Sequence, residues 1–403
     1  MITGVSLRSP DVARQLNPQD GLYLLAERSE EGTAYRLNGA INQVIVAPDD
    51  PAAVVAAIAA PGTRIVSLTV TEKGYCRAAD GSLDVALAGE GSFYPLLCRA
   101  LRQRRDAGLA GVTLLSCDNL AANGRVLERL LREYLAQIDP DMLDWFGQHC
   151  TCPSSMVDRI VPATRDTDRD EAEEATGLRD EALVVTEPFS QWVIEDKFAA
   201  GRPRWEVGGA QMVEDVRPYE TAKLRMLNGA HSALAYIGLR HGHTFVHKAV
   251  ADPAIRPTIE KLMREEAASS LRPAAGQDLS AYADALLARF ANPALDHRLA
   301  QIAMDGSQKI PERWLEVMAH HQAAGRQCPA LLAALAAWMQ HVRGDGHIVD
   351  DPMARELAEL WLEVGQSGIA RALFGRDGLF AHNWAADGAA LVALDACLAS
   401  NCT

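Results

Sequence analysis

Two β-branched, mostly apolar runs constrain this chain most: TRIVSLTV at 63–70 and GVTLLS at 111–116. Each reads as a strand buried on both faces of a parallel sheet, because such a strand has no solvent face toward which to alternate. Between them, 93–107 has helical periodicity and ends in basic residues. Parallel strands cannot be joined by a tight turn, so strand, helix and strand at this spacing predict a βαβ unit. Ligands of open parallel sheets sit beyond the carboxyl ends of the strands. Thr71-Glu72-Lys73 follows the first run, and Cys117-Asp118-Asn119 with Asn123-Gly124 follows the second. Asp118 and Asn119 are also natural helix caps.

The rest of the first half fits an α/β layer. Residues 2–7 are strand-like, and Ser9-Pro10-Asp11 starts a helix. Residues 21–26 and 34–37 form a hairpin around Glu30-Glu31-Gly32. Asp50 and Pro51 start a helix over 52–59, with the carboxylate as cap. Residues 156–161 read as a strand or loop edge, and 165–182 as a solvated helix with its connections. Short apolar pieces at 184–185 and 192–194 bracket Glu187-Pro188-Phe189. After Gly208-Gly209 the chain becomes a series of amphipathic helices, broken by Pro and Gly, to about residue 399. The fold class is therefore a Rossmann-like α/β domain over 1–217, followed by a mostly α-helical domain over 218–403.

Segment 82–102 is a decoy. Gly89-Glu90-Gly91 between an apolar run and a helix imitates a dinucleotide-binding turn. The third glycine position holds Tyr94, no acidic residue closes a following strand, and Glu90 would repel a pyrophosphate, so it is read as a connecting loop.

Composition narrows the function. A net charge of −14 argues against a nucleic-acid partner. Apolar runs such as 52–60 are too short to cross a bilayer, and no leader opens the chain, so a cytoplasmic location is expected. The eight cysteines include the close pairs Cys150/Cys152 and Cys397/Cys402. They read as reduced, mostly buried thiols. His241 and His243 lack a third ligand at a recognisable distance, so no metal site is expected. His320-His321 reads as an exposed helix segment.

Chemistry concentrates in RPYETAKLRMLNGAH, residues 217–231. Pro218 suits a first helical turn, and Leu224, Leu227, Leu234 and Ile237 recur at core-facing spacing. At roughly 100° per residue, Lys223, Asn228 and His231 fall within an arc of about 140° that overlaps the apolar face. An amine, an amide and an imidazole on one half-buried face can deprotonate an alcohol and hold the oxyanion. The plainer alternative is a rim lysine with two polar packing residues.

Lys-x4-Asn-x2-His within KLRMLNGAHSALAY resembles the catalytic helix of the long-chain mannitol dehydrogenase family, which includes mannitol 2-dehydrogenases and fructuronate reductases. SLTVTEKGYC (67–76), SCDNLAANG (116–124), MVDRIVPAT (156–164), EPFSQWVIEDKFAAGRPRW (187–205) and IAMDGSQKIP (302–311) are similar to family blocks, in family order. The resemblance runs from about Gly4 to the C-terminus. It implies zinc-independent hydride transfer between a nicotinamide and a secondary alcohol or ketone of an open-chain polyol or sugar acid. Lys223 would be the general acid/base, Asn228 an oxyanion donor, and His231 the residue orienting the substrate oxygen. A lysine in that role needs its pKa drawn toward neutrality, by burial or nearby positive charge. Thr71, Glu72, Asp118, Asn119 and Asn123 would line the nicotinamide end of the cofactor site. Glu72 and Glu220 would offer a water-mediated proton path, and Asp196 would border the substrate. Ser154 stands where mannitol-type members carry a second oxyanion donor, an Asn, and Gln301 where they carry an Arg. Both departures favour D-mannonate/D-fructuronate over D-mannitol/D-fructose, with Arg225, Arg298 and Lys309 as candidates for binding the uronate carboxylate. The expected cofactor is NAD, with NADP left open, and the expected state is a monomer or weak homo-oligomer. The family's Gly-rich strand–turn–helix does not precede Gly4. A missing first βαβ unit is therefore expected, with weakened cofactor binding, and an inactive truncated fragment is the second alternative.

Overall fold

The computed structural model describes residues 1–294 and 296–399, so Cys402 lies outside the described residues. The chain divides into two compact units, Met1–Arg217 and Pro218–Thr403.

In the first unit the main elements are β1 (Ile2–Ser6), α1 (Asp11–Leu16), β2 (Tyr23–Ser29), β3 (Gly32–Asn38), β4 (Ile41–Val46), α2 (Pro51–Ala59), β5 (Ile65–Leu68), α3 (Phe93–Asp106), β6 (Thr113–Ser116), α4 (Asn123–Ile138), β7 (Ser155–Asp158), α5 (Asp166–Thr176), β8 (Val184–Thr186), β9 (Gln191–Glu195) and β10 (Gln211–Val213), with short helices at Thr71–Gly74 and Leu143–His149. β5 and β6 pair in parallel, Ile65 opposite Thr113 through Leu68 opposite Ser116, with α3 as the crossover. β6 is buried throughout, as expected. β5 departs from expectation: Ser67 is exposed, because among the described strands β5 pairs only with β6 and is not flanked on its other edge. β1 pairs in parallel with β4, and β2 forms the expected hairpin with β3 while pairing in parallel with β8. β9 lies between antiparallel β7 and parallel β10. Asp50 caps α2 as expected, accepting from Ala53 N at 2.8 Å; Ser92 caps α3 after the Gly89-Glu90-Gly91 loop, whereas α4 starts after Ala122 without a side-chain cap, so the capping expected of Asp118 and Asn119 is corrected. The core between α3, α4 and β6 is closed by Tyr94, Leu97, Leu101, Leu114 and Phe146.

In the second unit α6 (Arg217–Ala222, its first residue falling on the boundary) leads without a break through a π-turn, Lys223–Asn228, into α7 (Gly229–Arg240). Then come α8 (Val246–Ala251), α9 (Arg256–Lys261) with a second π-turn at Leu262–Ala267, α10 (Leu279–Ala291) and α11 (Leu299–Ile302). α12 (Gly306–Ile310) passes through a third π-turn, Pro311–Leu315, into α13 (Glu316–Ala323). α14 (Pro329–His341), α15 (Ala354–Val364), α16 (Gln366–Phe374) and α17 (Gly388–Ala399) complete it. α14 packs on both α7 and α17, and the core centres on Trp314 and Trp338, both fully buried. Small residues make this possible. Ala230, Ala233, Ala334 and Ala337 are buried, letting helices approach closely.

Among the described residues no helix is long and apolar enough to cross a membrane. Cys76, Cys98, Cys117, Cys150, Cys152 and Cys328 are free thiols. Burial pushes the Cys150 thiol up to about 11 and the Cys152 thiol higher still, so both are inert at neutral pH. His321 corrects an expectation. It is 4% exposed, its Nε2 lies 2.8 Å from Glu266 O, and its Nδ1 accepts from Arg326. These partners come from distant or looped-back segments, which helical spacing cannot reveal. His320 is exposed, as expected.

Candidate active site

Lys223 and Asn228 stand at the two ends of the first π-turn. Gly229 N–H reaches back five residues to Leu224 O rather than four. The arc expected for a regular α-helix is therefore corrected. A π-turn closes its hydrogen bond one residue later, which draws side chains five apart toward one face. Lys223 is 9% exposed, and Asn228 and Glu220 are half-buried.

His231 follows on the first turn of α7. Its ring packs on Phe290 at 4.5 Å and meets His297 edge-on at 5.2 Å between centroids. Part of its surface stays accessible, yet protein surrounds the ring. Burial draws the imidazole well below its ordinary range, and His297, Arg289 and Arg313 add to this. His297 is lowered by burial as well. His231 is therefore neutral at physiological pH, with one ring nitrogen donating and the other accepting.

Sequence reasoning missed the groups around this helix. Arg313 Nη1 donates to Ser232 Oγ at 2.7 Å and to Asn228 O at 3.3 Å, and Trp314 Nε1 donates to Gly229 O at 3.0 Å. Burial pulls the Arg313 guanidinium down to about 10, so it remains a cation at neutral pH. The available signal was Pro311, a proline inside a helical run.

Of the three expected carboxylate-binding cations, Arg225 and Lys309 are committed to protein partners. Arg225 bonds Ser270 O at 3.1 Å and Glu316 Oε2 at 2.9 Å. Lys309 donates to Met304 O at 2.6 Å beside Asp305, and burial lowers its pKa. Arg298 is exposed and lies over the Phe245 ring, 5.4 Å from its centroid.

In the first unit Thr71, Glu72 and Asn119 are exposed beyond the carboxyl ends of β5 and β6. Thr71 adopts a left-handed φ of 61°, and the Asp118 carboxylate holds that turn by accepting from Val70 N, Thr71 N and Tyr75 Oη. Asn123, expected at the cofactor, is fully buried. Its two amide hydrogens go to Asp118 O and Ser155 O, and its Oδ1 accepts from Ser155 N. With its donors spent, Asn123 braces the β6 loop against β7. Asp196 is held by two bonds from Arg202, which keeps its carboxyl below the ordinary range. Ser154 is 1% exposed and its Oγ has no hydrogen-bond partner, nor does Oε1 of Glu195 directly across the ladder. Buried polar atoms without protein partners point to a ligand or water.

A parallel-stranded α/β unit followed by a helical unit that carries a lysine, an amide and a neutral imidazole on one helix defines a dehydrogenase-like class. Known proteins give it a family. The model of the mannitol dehydrogenase Rossmann domain matches residues 1–207, and that of the mannitol dehydrogenase C-terminal domain matches 215–383. The D-mannonate oxidoreductase of Escherichia coli (strain K12) is 40% identical over 385 residues, covering 91% of this chain and 79% of that protein. A mannitol 2-dehydrogenase of Phaeosphaeria nodorum is 39% identical over 398 residues, covering 93% and 70%. The solved ternary complex of Pseudomonas fluorescens mannitol 2-dehydrogenase with NAD and D-mannitol is 34% identical, with a TM-score of 0.77, over 99% of this chain and 85% of that one. The chain belongs to the mannitol dehydrogenase family of oxidoreductases. The expectation of a missing N-terminal unit finds no support in these matches.

Proposed function

We propose that this protein interconverts D-mannonate and D-fructuronate by NAD-dependent hydride transfer. The observation carrying this reading is Lys223 and Asn228 on one π-turn, with His231 on the next helical turn. Its substrate side draws on the kinship with a D-mannonate oxidoreductase. When bound, the nicotinamide supplies or accepts the hydride. The residues present fit such a group: Thr71, Glu72 and Asn119 are exposed polar side chains at the carboxyl ends of parallel strands, where cofactors of this fold class lie. Asp118 and Asn123 shape the loops that present them.

Lys223 takes the hydroxyl proton in oxidation and returns it in reduction. Asn228 donates to the oxygen as negative charge develops, worth about 2–4 kcal/mol when well aimed. In the first unit Ser154, whose hydroxyl has no protein partner, is a candidate donor to a bound ligand. Neutral His231 orients the substrate hydroxyl without adding charge. Glu220, three residues before Lys223, provides the proton path to solvent. In the first unit Asp196, kept ionised by Arg202, is a candidate acceptor for a ligand hydroxyl.

The commitments of Arg225 and Lys309 favour a second reading, D-mannitol/D-fructose, because a neutral polyol needs no cation. The test is kcat/KM for NADH-dependent reduction of fructuronate against fructose, with Lys223→Met as control. A preference for fructuronate is expected, with a loss of about 10²–10⁴-fold in kcat on removing the base. Faster reduction of fructose would move the assignment to the second reading. A loss under tenfold in the variant would remove Lys223 from its role.

A further inference from the structure

Two helices of the second unit widen into π-turns where they meet. In one the cause is local. Pro311 has no N–H to give, and its ring crowds the carbonyl four residues earlier, so the run from α12 to α13 cannot stay regular there. In the other, Lys223–Asn228, no proline intervenes. Nothing in KLRMLN forbids an ordinary α-turn, and π geometry is rare. Its cause lies in its neighbours. The Pro311–Leu315 turn packs against it and presents Arg313 and Trp314. Arg313 bonds Asn228 O and Ser232 Oγ, and Trp314, fully buried, bonds Gly229 O. These contacts grip the outgoing end of the widened turn, where its register returns to α.

We propose that Arg313 is a positioning residue that holds the Lys223–Asn228 segment in π geometry, so that Lys223 and Asn228 present to one substrate oxygen together. The proposal rests on the reaction assigned above. In a regular α-helix, side chains five residues apart diverge by about 140°. An amine and an amide so divided converge less closely on one oxygen than the same groups on a π-turn. The π-turn draws them onto one face, and Arg313 supplies what the local sequence does not. One guanidinium nitrogen, Nη1, reaches both the Asn228 carbonyl and the Ser232 hydroxyl.

The test compares Arg313→Met, Arg313→Lys and Ser232→Ala in the full chain, with circular dichroism as the folding check. Arg313→Met is expected to lower kcat by about 100-fold, the effect of misplacing a catalytic group by roughly 1 Å, with KM for NADH unchanged. Arg313→Lys should recover part of that loss. Ser232→Ala, which leaves the bond to Asn228 O, should lose less than Arg313→Met. A crystal structure of Arg313→Met should show residues 223–228 returned to α-helical hydrogen bonding. Persistence of the π-turn in that variant, or turnover within threefold of wild type, overturns the proposal. If Arg313→Met does not fold, Arg313→Gln takes its place, and wild-type turnover with the π-turn intact in that variant overturns the proposal. A wild type that reduces neither ketone refutes the assigned reaction. The crystal structure still decides whether Arg313 sets the turn.

Discussion

Replacing Glu266 should destabilise the helical unit more than any surface carboxylate would. Glu266 sits in the second π-turn, next to the Lys223–Asn228 turn, and is 3% exposed. Its Oε1 accepts from Ala330 N and its Oε2 from Leu331 N, both at 2.8 Å. Those are first-turn N–H groups of α14, whose own N-cap residue, Cys328, makes no side-chain cap. A helix start leaves such donors without partners, and here a carboxylate from another helix supplies them. Glu266→Gln keeps the shape but has a single acceptor oxygen. One charge-assisted bond, worth about 1.5–3 kcal/mol, is lost, and one buried donor faces an amide NH₂. Relief from burying a charge offsets part of this, leaving a net loss of about 2–3 kcal/mol. Glu266→Ala loses both bonds and leaves a cavity, for about 4 kcal/mol. Urea unfolding followed by fluorescence, with buried Trp314 and Trp338 as reporters in this unit, reads the shift. Burial pushes the Glu266 carboxyl up from its ordinary range. The folded state thus holds the proton more tightly than the unfolded chain. The stability linked to it is fully present below the unfolded pKa of about 4.3, and is lost as pH rises through the folded value. The gap between wild type and Glu266→Gln should therefore widen as pH falls from neutrality. A midpoint within about 0.5 kcal/mol of wild type at pH 7, or a gap that narrows on acidification, would refute the reasoning.

Two further outcomes are expected. His231 should remain neutral at pH 5.5 in ring ¹⁵N spectra, because burial, His297, Arg289 and Arg313 all oppose its charging. Below about 6.5 the unfolded chain takes up a proton that folded His231 refuses, so this residue's contribution to stability is present above that pH and falls below it; a protonated ring at pH 5.5 would contradict this. Gly306→Ala would place a Cβ 2.3 Å from Tyr236 Oη and 2.6 Å from Trp338 Nε1. It should lower stability by about 1–3 kcal/mol in thermal unfolding, through displacement of the Tyr236 bond to Ala303 O; an unchanged melting temperature would show that the core yields freely there.

The residues of the candidate site divide along the same physical line as these predictions. Residues whose role follows from their position in the chain were legible. Asp50 caps α2, and Lys223, Asn228 and His231 share one helical run. Residues whose role depends on a distant partner were not. Asn123 has the composition of a cofactor contact, but its amide is spent on Ser155. Lys309 and Arg225 carry the charge a uronate needs, but meet Met304 O and Glu316 first. Spacing could not show that His321 turns inward onto Glu266 O.

The sequence by itself determined the parallel pairing of β5 and β6, the change to helices near Arg217 and the family blocks that carry the chemistry. Hydrophobic period, β-branching, caps and breakers act within a few residues, so they can be read along the chain. Only the tertiary structure decided that Lys223 and Asn228 lie on a π-turn and that Arg313 and Trp314 grip its end. The choice between α and π geometry turns on hydrogen bonds to groups more than 80 residues away, and such bonds exist only after the helices have packed.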